Sequence, residues 1–320
     1  MAKYFDVFNG DADGICALLQ LRLESSQPSV KVTGVKRDIA LLSQVDAGPG
    51  DVVTVLDISF DKNRKAVESL LGAGADIFYV DHHFAGDIPE HPRLTTLINP
   101  APELTTSALV NGHLKGARAG WAVVGCFGDN MDATAQSIAA TLPDQPDLEV
   151  WKQLGVLMNY NGYGASVDDL HFAPDELFER LLQFPDPDAC LNEDPDLLAA
   201  LSAAYDDDMT QALEAPVCFR SEAVSVIALP GDSWARRVSG VFGNHLANTA
   251  PDKAHAVLTD LGNGYLVSVR APIARREGAD AVCRQFATGG GRAAAAGVNH
   301  LPYDDLERFI DAMTAQYGSA

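Results

Sequence analysis

Apolar positions in the first ninety residues fall into short blocks. Residues 4–8, 30–35, 52–56 and 77–80 are runs rich in aromatic and β-branched side chains, the make-up of buried strands. Between them, 15–23 and 61–71 have the length and apolar density of packed helices, and 39–45 gives a shorter one. Strands separated by helices predict a parallel, doubly wound sheet with right-handed crossovers.

The pattern then changes. Thr105-Thr106-Ser107 can cap a helix, and 120–127 is a largely apolar segment ending at Asp129. From Met131 to about Tyr205 the spacing is helical, broken at Pro143, Pro146, Pro174, Pro185 and Pro187. Residues 206–216 are acidic and lack apolar periodicity, so they read as a linker, with Asp206-Asp207-Asp208 as a solvated charge run rather than a metal site. Beyond it, 223–229, 254–258 and 264–270 are strands, 233–246 and 306–315 helices, and Asn263-Gly264 a hairpin turn. The expected architecture is α/β in two domains: a Rossmann-like parallel-sheet domain over 1–205 and a smaller α/β domain over 217–320.

Three of the strand runs end on carboxylate or imidazole. The first leads into Asn9-Gly10-Asp11-Ala12-Asp13-Gly14, another stops on Asp57, and 77–80 stops on Asp81-His82-His83. Open α/β sheets place their ligand crevice at the carboxyl ends of the strands. Each motif alone also fits a helix cap or a pair of surface histidines. Their repetition at one end of one sheet carries the argument.

Charge narrows the ligand. The chain has 23 Lys and Arg against 44 Asp and Glu, a net charge of −21. Long duplexes are held by cationic side chains that displace condensed counterions, and an acidic surface repels polyanions at range. A small phosphorylated ligand in a local pocket fits better, although acidity can also serve solubility alone. No apolar run approaches the ~18 residues of a membrane helix, and the start of the chain lacks a signal-peptide pattern. Five scattered cysteines without a CxxC pair read as thiols of a reducing cytoplasm.

Asp11-Ala12-Asp13-Gly14, Asp57, Asp81-His82-His83 and Gly125-Cys126-Phe127-Gly128-Asp129 resemble, in order, four motifs of the DHH phosphoesterase superfamily. Gly289-Gly290-Gly291-Arg292 with the alanines after it, ending at Gly297, is similar to the glycine motif of the DHH-associated substrate domain. In length and layout the chain is closest to the short-oligonucleotide phosphodiesterases called nanoRNases. The resemblance implies a catalytic domain followed by a substrate-binding domain, and one or two Mn²⁺ or Mg²⁺ ions. Asp57 would bridge, with Asp13, His82 and Asp129 at one ion and Asp11 at the other, while His83 faces the substrate phosphate. Gly289, Gly290, Gly291 and Arg292 would hold an anion in a glycine-rich turn, assisted by Arg270, which fits a surface ion pair equally well.

Two positions depart from the family. Val7 stands where members with two full sites carry a histidine, leaving Asn9 as a weaker candidate ligand, and Arg292 stands in place of another histidine. The expectation is a metal-dependent phosphoesterase using metal-activated water on short oligonucleotides or phosphorylated nucleotides. A pyrophosphatase or short-polyphosphatase, and a nucleotide-binding protein without turnover, are the alternatives. No long duplex or membrane partner is expected, and the oligomeric state is left open, a homodimer included. Residues 159–164, Asn-Tyr-Asn-Gly-Tyr-Gly, are either base-contacting aromatics and amides or a helix-ending loop.

Overall fold

The β-branched runs near the start of the chain pair side by side and all run in the same direction. The computed structural model describes residues 2–318 and divides into two compact units, one up to Ala203 and one from Ala204 onward. The first unit runs β1 (Tyr4–Asn9), α1 (Ala12–Glu24), β2 (Val30–Gly34), a 3₁₀ turn at Leu41–Gln44, β3 (Val52–Leu56), α2 (Phe60–Ala73), β4 (Asp76–Asp81) and β5 (Leu94–Ile98). The helices α3 (Thr106–His113), α4 (Ala119–Gly128), α5 (Asp132–Ala139), α6 (Leu148–Asn161), α7 (Pro174–Leu181), α8 (Pro187–Glu193) and α9 (Pro195–Leu213) follow.

Every strand pair in this sheet is parallel and the order is β2-β1-β3-β4-β5. The order reverses between β1 and β3, and ligands bind at such a switch point, beyond the carboxyl ends of the strands. One apolar layer unites Phe5, Val7, Val53, Val55, Ile77 and Tyr79 of the sheet with Phe60, Val67 and Leu70 of α2. Every residue of α4 is buried. Such an all-apolar helix has no solvent face to offer, and it packs against α1, α3 and α6.

The second unit contains the end of α9, then β6 (Val217–Arg220), β7 (Val224–Leu229), α10 (Ser233–Thr249), β8 (Ala254–Asp260), β9 (Tyr265–Arg270), α11 (Ala279–Cys283), β10 (Gly289–Gly291), β11 (Ala295–Leu301) and α12 (Leu306–Tyr317). Its sheet is mixed, ordered β10-β11-β9-β8-β7-β6, with only β7 and β8 parallel. One apolar cluster joins Val226, Leu258 and Val298 to Phe309 and Met313 of α12. Another joins Ile227 and Val257 to Val238 and Phe242 of α10 and Met209 of α9.

Three expectations change. Most of the acidic stretch 206–216 is helix, since α9 continues to Leu213. Asp206 and Asp207 are exposed, but Asp208 is buried and forms a two-pronged ion pair with Arg237, Nε to Oδ2 at 2.7 Å and Nη2 to Oδ1 at 2.8 Å. The glycine run is the edge strand β10, paired antiparallel with β11, and not a turn. Gly289 has to be glycine there, because a Cβ would lie 1.7 Å from the Cys283 carbonyl oxygen. In 159–164, Asn159, Tyr160 and Asn161 are buried in the last turn of α6, and Tyr160 is too deep to meet a base.

Candidate metal centre

Asp11 follows β1 and caps α1, its Oδ1 accepting the Gly14 N–H at 3.0 Å. Gly14 allows this tight turn, since a Cβ there would lie 2.2 Å from the Asn9 carbonyl oxygen. Asp13, in the first turn of α1, is fully buried. Its two carboxylate oxygens accept the Thr106 and Ser107 N–H groups, each at 2.7 Å, from the first turn of α3. Free N–H groups at a helix N-terminus favour a carboxylate, so α3 fixes Asp13 as an anion-bearing wall of the crevice.

Asp57 follows β3 with a φ of 59°. Left-handed backbone costs a non-glycine residue roughly 1–2 kcal/mol, with Asp and Asn the most tolerant. The Asp57 N–H is retained by the Val80 carbonyl at 3.1 Å, and its Oδ1 accepts the Thr106 hydroxyl at 3.0 Å. Strain of this kind at a buried acid marks a position held for function. Asp129 comes from the end of the buried helix α4, next to Asn130 at a φ of 59°.

The two histidines leave β4 and are oriented by their second ring nitrogens. His82 Nδ1 donates to the Leu104 carbonyl at 2.8 Å, which puts Nε2 on the crevice side. Nε2 lies 3.4 Å from Asp57 Oδ1, 3.7 Å from Asp129 Oδ2 and 4.0 Å from Asp13 Oδ2. His83 Nδ1 lies 2.7 Å from Oδ1 of the buried Asp81, which also accepts the His83 N–H. The half-exposed His83 ring therefore presents Nε2 to the crevice mouth.

A ring nitrogen facing three carboxylates calls for a proton or a cation between them. The ligand atoms of Asp13, His82 and Asp129 lie within 4.8 Å of one another, as do those of Asp57, His82 and His83. Oxygen with imidazole suits Mn²⁺ and similar ions, and the Leu104 and Asp81 contacts are the outer support that metal-bound histidines require. Burial and the charges of Asp13, Asp11 and Asp129 push the Asp57 carboxyl well above the carboxylate range. Burial and Asp11 carry Asp129 up to about 6 against the pull of Lys36. The donor set fits a divalent cation, which would relieve this repulsion.

Sequence reasoning did not find Lys36. Its ammonium donates to Asp11 Oδ2, to Asp129 Oδ1 at 2.9 Å and to Asn159 Oδ1 at 2.8 Å. Burial alone would lower its pKa, but Asp11 and Asp129 raise it above the ordinary lysine value. In turn, burial would raise Asp11, but Lys36 and the Gly14 N–H bring it below the usual range. Lys36 lies just past the carboxyl end of β2, so the strand-end rule that located the acids also covers it. His83 is held above the usual imidazole value, first by its hydrogen bond to Asp81 and against burial.

Asn9, Asp11, Lys36, Asp57, His82, His83, Asp129, Asn159 and Tyr163 line an open cleft of about 290 Å³, joined by Ile39 and Asn130. Asp11, Asp13, Asp57, His82, His83 and Asp129, named from sequence, thus come together. Asn9, considered as a ligand, is already engaged: its Oδ1 accepts the Asp11 N–H and its Nδ2 donates to the Lys36 carbonyl.

Arg270, Gly289, Gly290, Gly291 and Arg292 belong to the second unit. Arg270 is held by Asn244 Oδ1 at 2.7 Å, Ser268 Oγ at 2.9 Å and the Gly240 carbonyl at 3.2 Å, with no carboxylate among these three partners. It lines a separate cleft with Asn244, Asn248 and Arg276. Arg292 is exposed, does not line that cleft, and its N–H closes a turn onto the Ala295 carbonyl at 2.9 Å.

The chain has the fold of the DHH-domain proteins. No family model and no curated protein matches it by sequence. Among solved structures, a DHH-domain protein described as a member of the s1p family of ribosomal proteins superposes with a TM-score of 0.67 at 12% identity, over 98% of this chain and 86% of that one. An exonuclease RecJ bound to manganese gives 0.60 at 16% identity, over 98% and 89%. A pGpG-specific phosphodiesterase, PggH from Vibrio cholerae, gives 0.56 at 16% identity, over 98% of each chain.

Proposed function

We propose that the protein is a metal-dependent phosphoesterase that hydrolyses short oligonucleotides or small phosphorylated nucleotides. The observation that carries this is His82 Nε2, oriented by Leu104 and aimed at Asp57, Asp129 and Asp13. Asp13, Asp57, His82 and Asp129 are the proposed ligands of a Mn²⁺ or Mg²⁺ ion. Such an ion, when bound, supplies charge neutralisation at a phosphoryl group and a hydroxide-like water at neutral pH. The RecJ structure similar to this one contains manganese, and PggH is described as a phosphodiesterase.

The chain's own residues divide the remaining work. Asp57 joins the ligand groups at the centre. Its Oδ1 is held by the Thr106 hydroxyl, which orients the carboxylate. His83, with Nδ1 secured by Asp81, offers Nε2–H to a phosphoryl oxygen, and its raised pKa favours the protonated donor. Arg270 and Arg292 are the proposed substrate-binding arginines of a second domain over 217–320, the catalytic domain being 1–205. Arg292 keeps its charge at any working pH and suits a phosphate that is not being cleaved. Gly290 has open space where a side chain would be, which suits close approach of an anion to the edge strand.

A reducing, cytoplasmic setting is part of the reading, supported by five free cysteines of which four are buried. No helix among the described residues is long and apolar enough to cross a membrane. The test is a screen of purified protein with Mn²⁺ over dinucleotides, cyclic dinucleotides, 3′,5′-bisphosphates and pyrophosphate. Turnover of a dinucleotide or bisphosphate, abolished by chelation, is expected. Turnover of pyrophosphate alone would make the protein a pyrophosphatase, and binding without turnover would make it a nucleotide-binding protein.

A further inference from the structure

The acidic cluster already contains one cation that belongs to the chain. Lys36 is fixed at both ends of its peptide unit: its N–H donates to the Gly162 carbonyl at 2.8 Å, and its carbonyl accepts Asn9 Nδ2 at 3.1 Å. An ammonium has three N–H donors, and all three are used, on Asp11, Asp129 and Asn159. Each Asp11 oxygen has a partner, one on Lys36 and the other on the Gly14 N–H, and the Lys36 ammonium stands where a cation at Asp11 would be. Asp129 is divided, with Oδ1 on Lys36 and Oδ2 turned to His82. Asn9 has both side-chain atoms engaged, and Val7, the next residue inward on the same face of β1, is apolar and fully buried. The half of the cluster around Asp11 is therefore already occupied by a cation of the chain, while Asp13, Asp57 and the crevice-facing Nε2 of His82 meet no lysine or arginine among the described side-chain contacts.

Repulsion between cations leads to the same division. Four carboxylates, Asp11, Asp13, Asp57 and Asp129, surround the crevice. One divalent ion and the ammonium share them from opposite sides, whereas a second divalent ion at Asp11 would lie directly against the ammonium.

We propose that Lys36 is a built-in second cation of the centre, so that the protein binds one divalent ion per chain where a two-metal site would bind two. The ammonium neutralises Asp11, holds Asp129 so that its other oxygen points at the ion position, and lines the cleft where a phosphate would enter. This rests on the reading of the cluster as a metal centre, and metal counting separates the two.

The experiment is equilibrium dialysis of the full chain against Mn²⁺ with elemental analysis, beside electron paramagnetic resonance of the bound ion. The wild type is expected to take up one ion, with the hyperfine pattern of isolated Mn²⁺. Lys36→Gln frees the Asp11, Asp129 and Asn159 oxygens, so its count should rise to two, with the signal of a spin-coupled pair. Lys36→Arg keeps the charge and should stay at one; it also serves if the glutamine variant does not fold. Two ions in the wild type, or a single ion in folded Lys36→Gln, would overturn the proposal while leaving the phosphoesterase reading intact. No bound ion in any of the three would remove both.

Discussion

Asp57 shows how much a single residue carries at this site. It sits in left-handed backbone, buried, with its carboxyl pushed up by burial and by four neighbouring acids. Asn tolerates the left-handed region as well as Asp does, so Asp57→Asn removes the charge and keeps the turn. Metal-dependent turnover of the preferred substrate should fall by more than tenfold, a barrier increase above about 1.4 kcal/mol. In EDTA the variant should melt no lower than the wild type, because it loses a repelled anion. A variant keeping more than about a tenth of the activity would show that Asp57 does not serve the ion. The acids were legible in the sequence because Asp11, Asp57 and Asp129 follow a strand or helix end, and Asp13 sits in the first turn of α1, where β-branched or apolar runs give way to Asp. Lys36 obeys the same rule at the end of β2. It was missed because a cation in an acidic constellation does not resemble a ligand, and its partners Asp129 and Asn159 are far away in sequence.

At the scale of elements, the boundary stretch shows why a charge run misleads. Three aspartates in a row look solvated, but on a helix they point in different directions. Asp206 and Asp207 face solvent, while Asp208 meets Arg237 of α10, a partner 29 residues away that composition cannot reveal. Breaking a buried ion pair from one side leaves the other charge unpaired and typically costs about 3–5 kcal/mol. Asp208→Ala should therefore shift the urea midpoint of the second unit strongly, with Asp207→Ala within roughly 0.5 kcal/mol of wild type. Equal midpoints for the two variants would show that the pair contributes nothing. The glycine run misled for a related reason: three glycines suggest a turn, but these lie flat beside β11, where the space at Gly289 excludes a side chain.

The strand β8 adds a pH dependence. His255 is buried with Nε2 on the Ala250 carbonyl at 3.1 Å and Nδ1 without a hydrogen-bond partner among the described residues. Burial lowers its pKa; the Ala250 bond opposes this, and the Lys253 charge adds to the lowering. Across the sheet its register partners are Ser225 and Arg270, so no acid on the paired strands offsets a second proton. The unfolded chain, with an ordinary histidine near pKa 6.5, takes up that proton more readily. This contribution to stability is complete above about pH 6.5 and is lost as the pH falls through and below that value. His255→Gln keeps an N–H donor and cannot titrate. Its melting temperature should gain on the wild type between about pH 7.5 and 5.5, and a constant difference across that window would refute the assignment.

For the whole molecule, the net charge of −21 decides which substrates arrive. The cleft at the centre takes about 290 Å³, enough for a phosphate and part of a nucleoside, and the acidic total leaves little basic surface to track a longer backbone. A short substrate brings few phosphates into the repulsive field, whereas a long single strand brings many. At low ionic strength, about 0.01 M, that field extends roughly 30 Å, and at about 0.15 M it is screened within roughly 8 Å. Dinucleotide hydrolysis should therefore exceed hydrolysis of a single strand of about thirty nucleotides at low salt. Raising the salt at fixed Mn²⁺ should then speed the long substrate relative to the short one. A nuclease with a basic groove behaves in the opposite way, because salt weakens its grip on the backbone. Rates measured on both substrates across that salt range distinguish the two cases. If salt instead slows the long strand more than the dinucleotide, a local basic track outweighs the global charge, and short substrates lose their electrostatic preference.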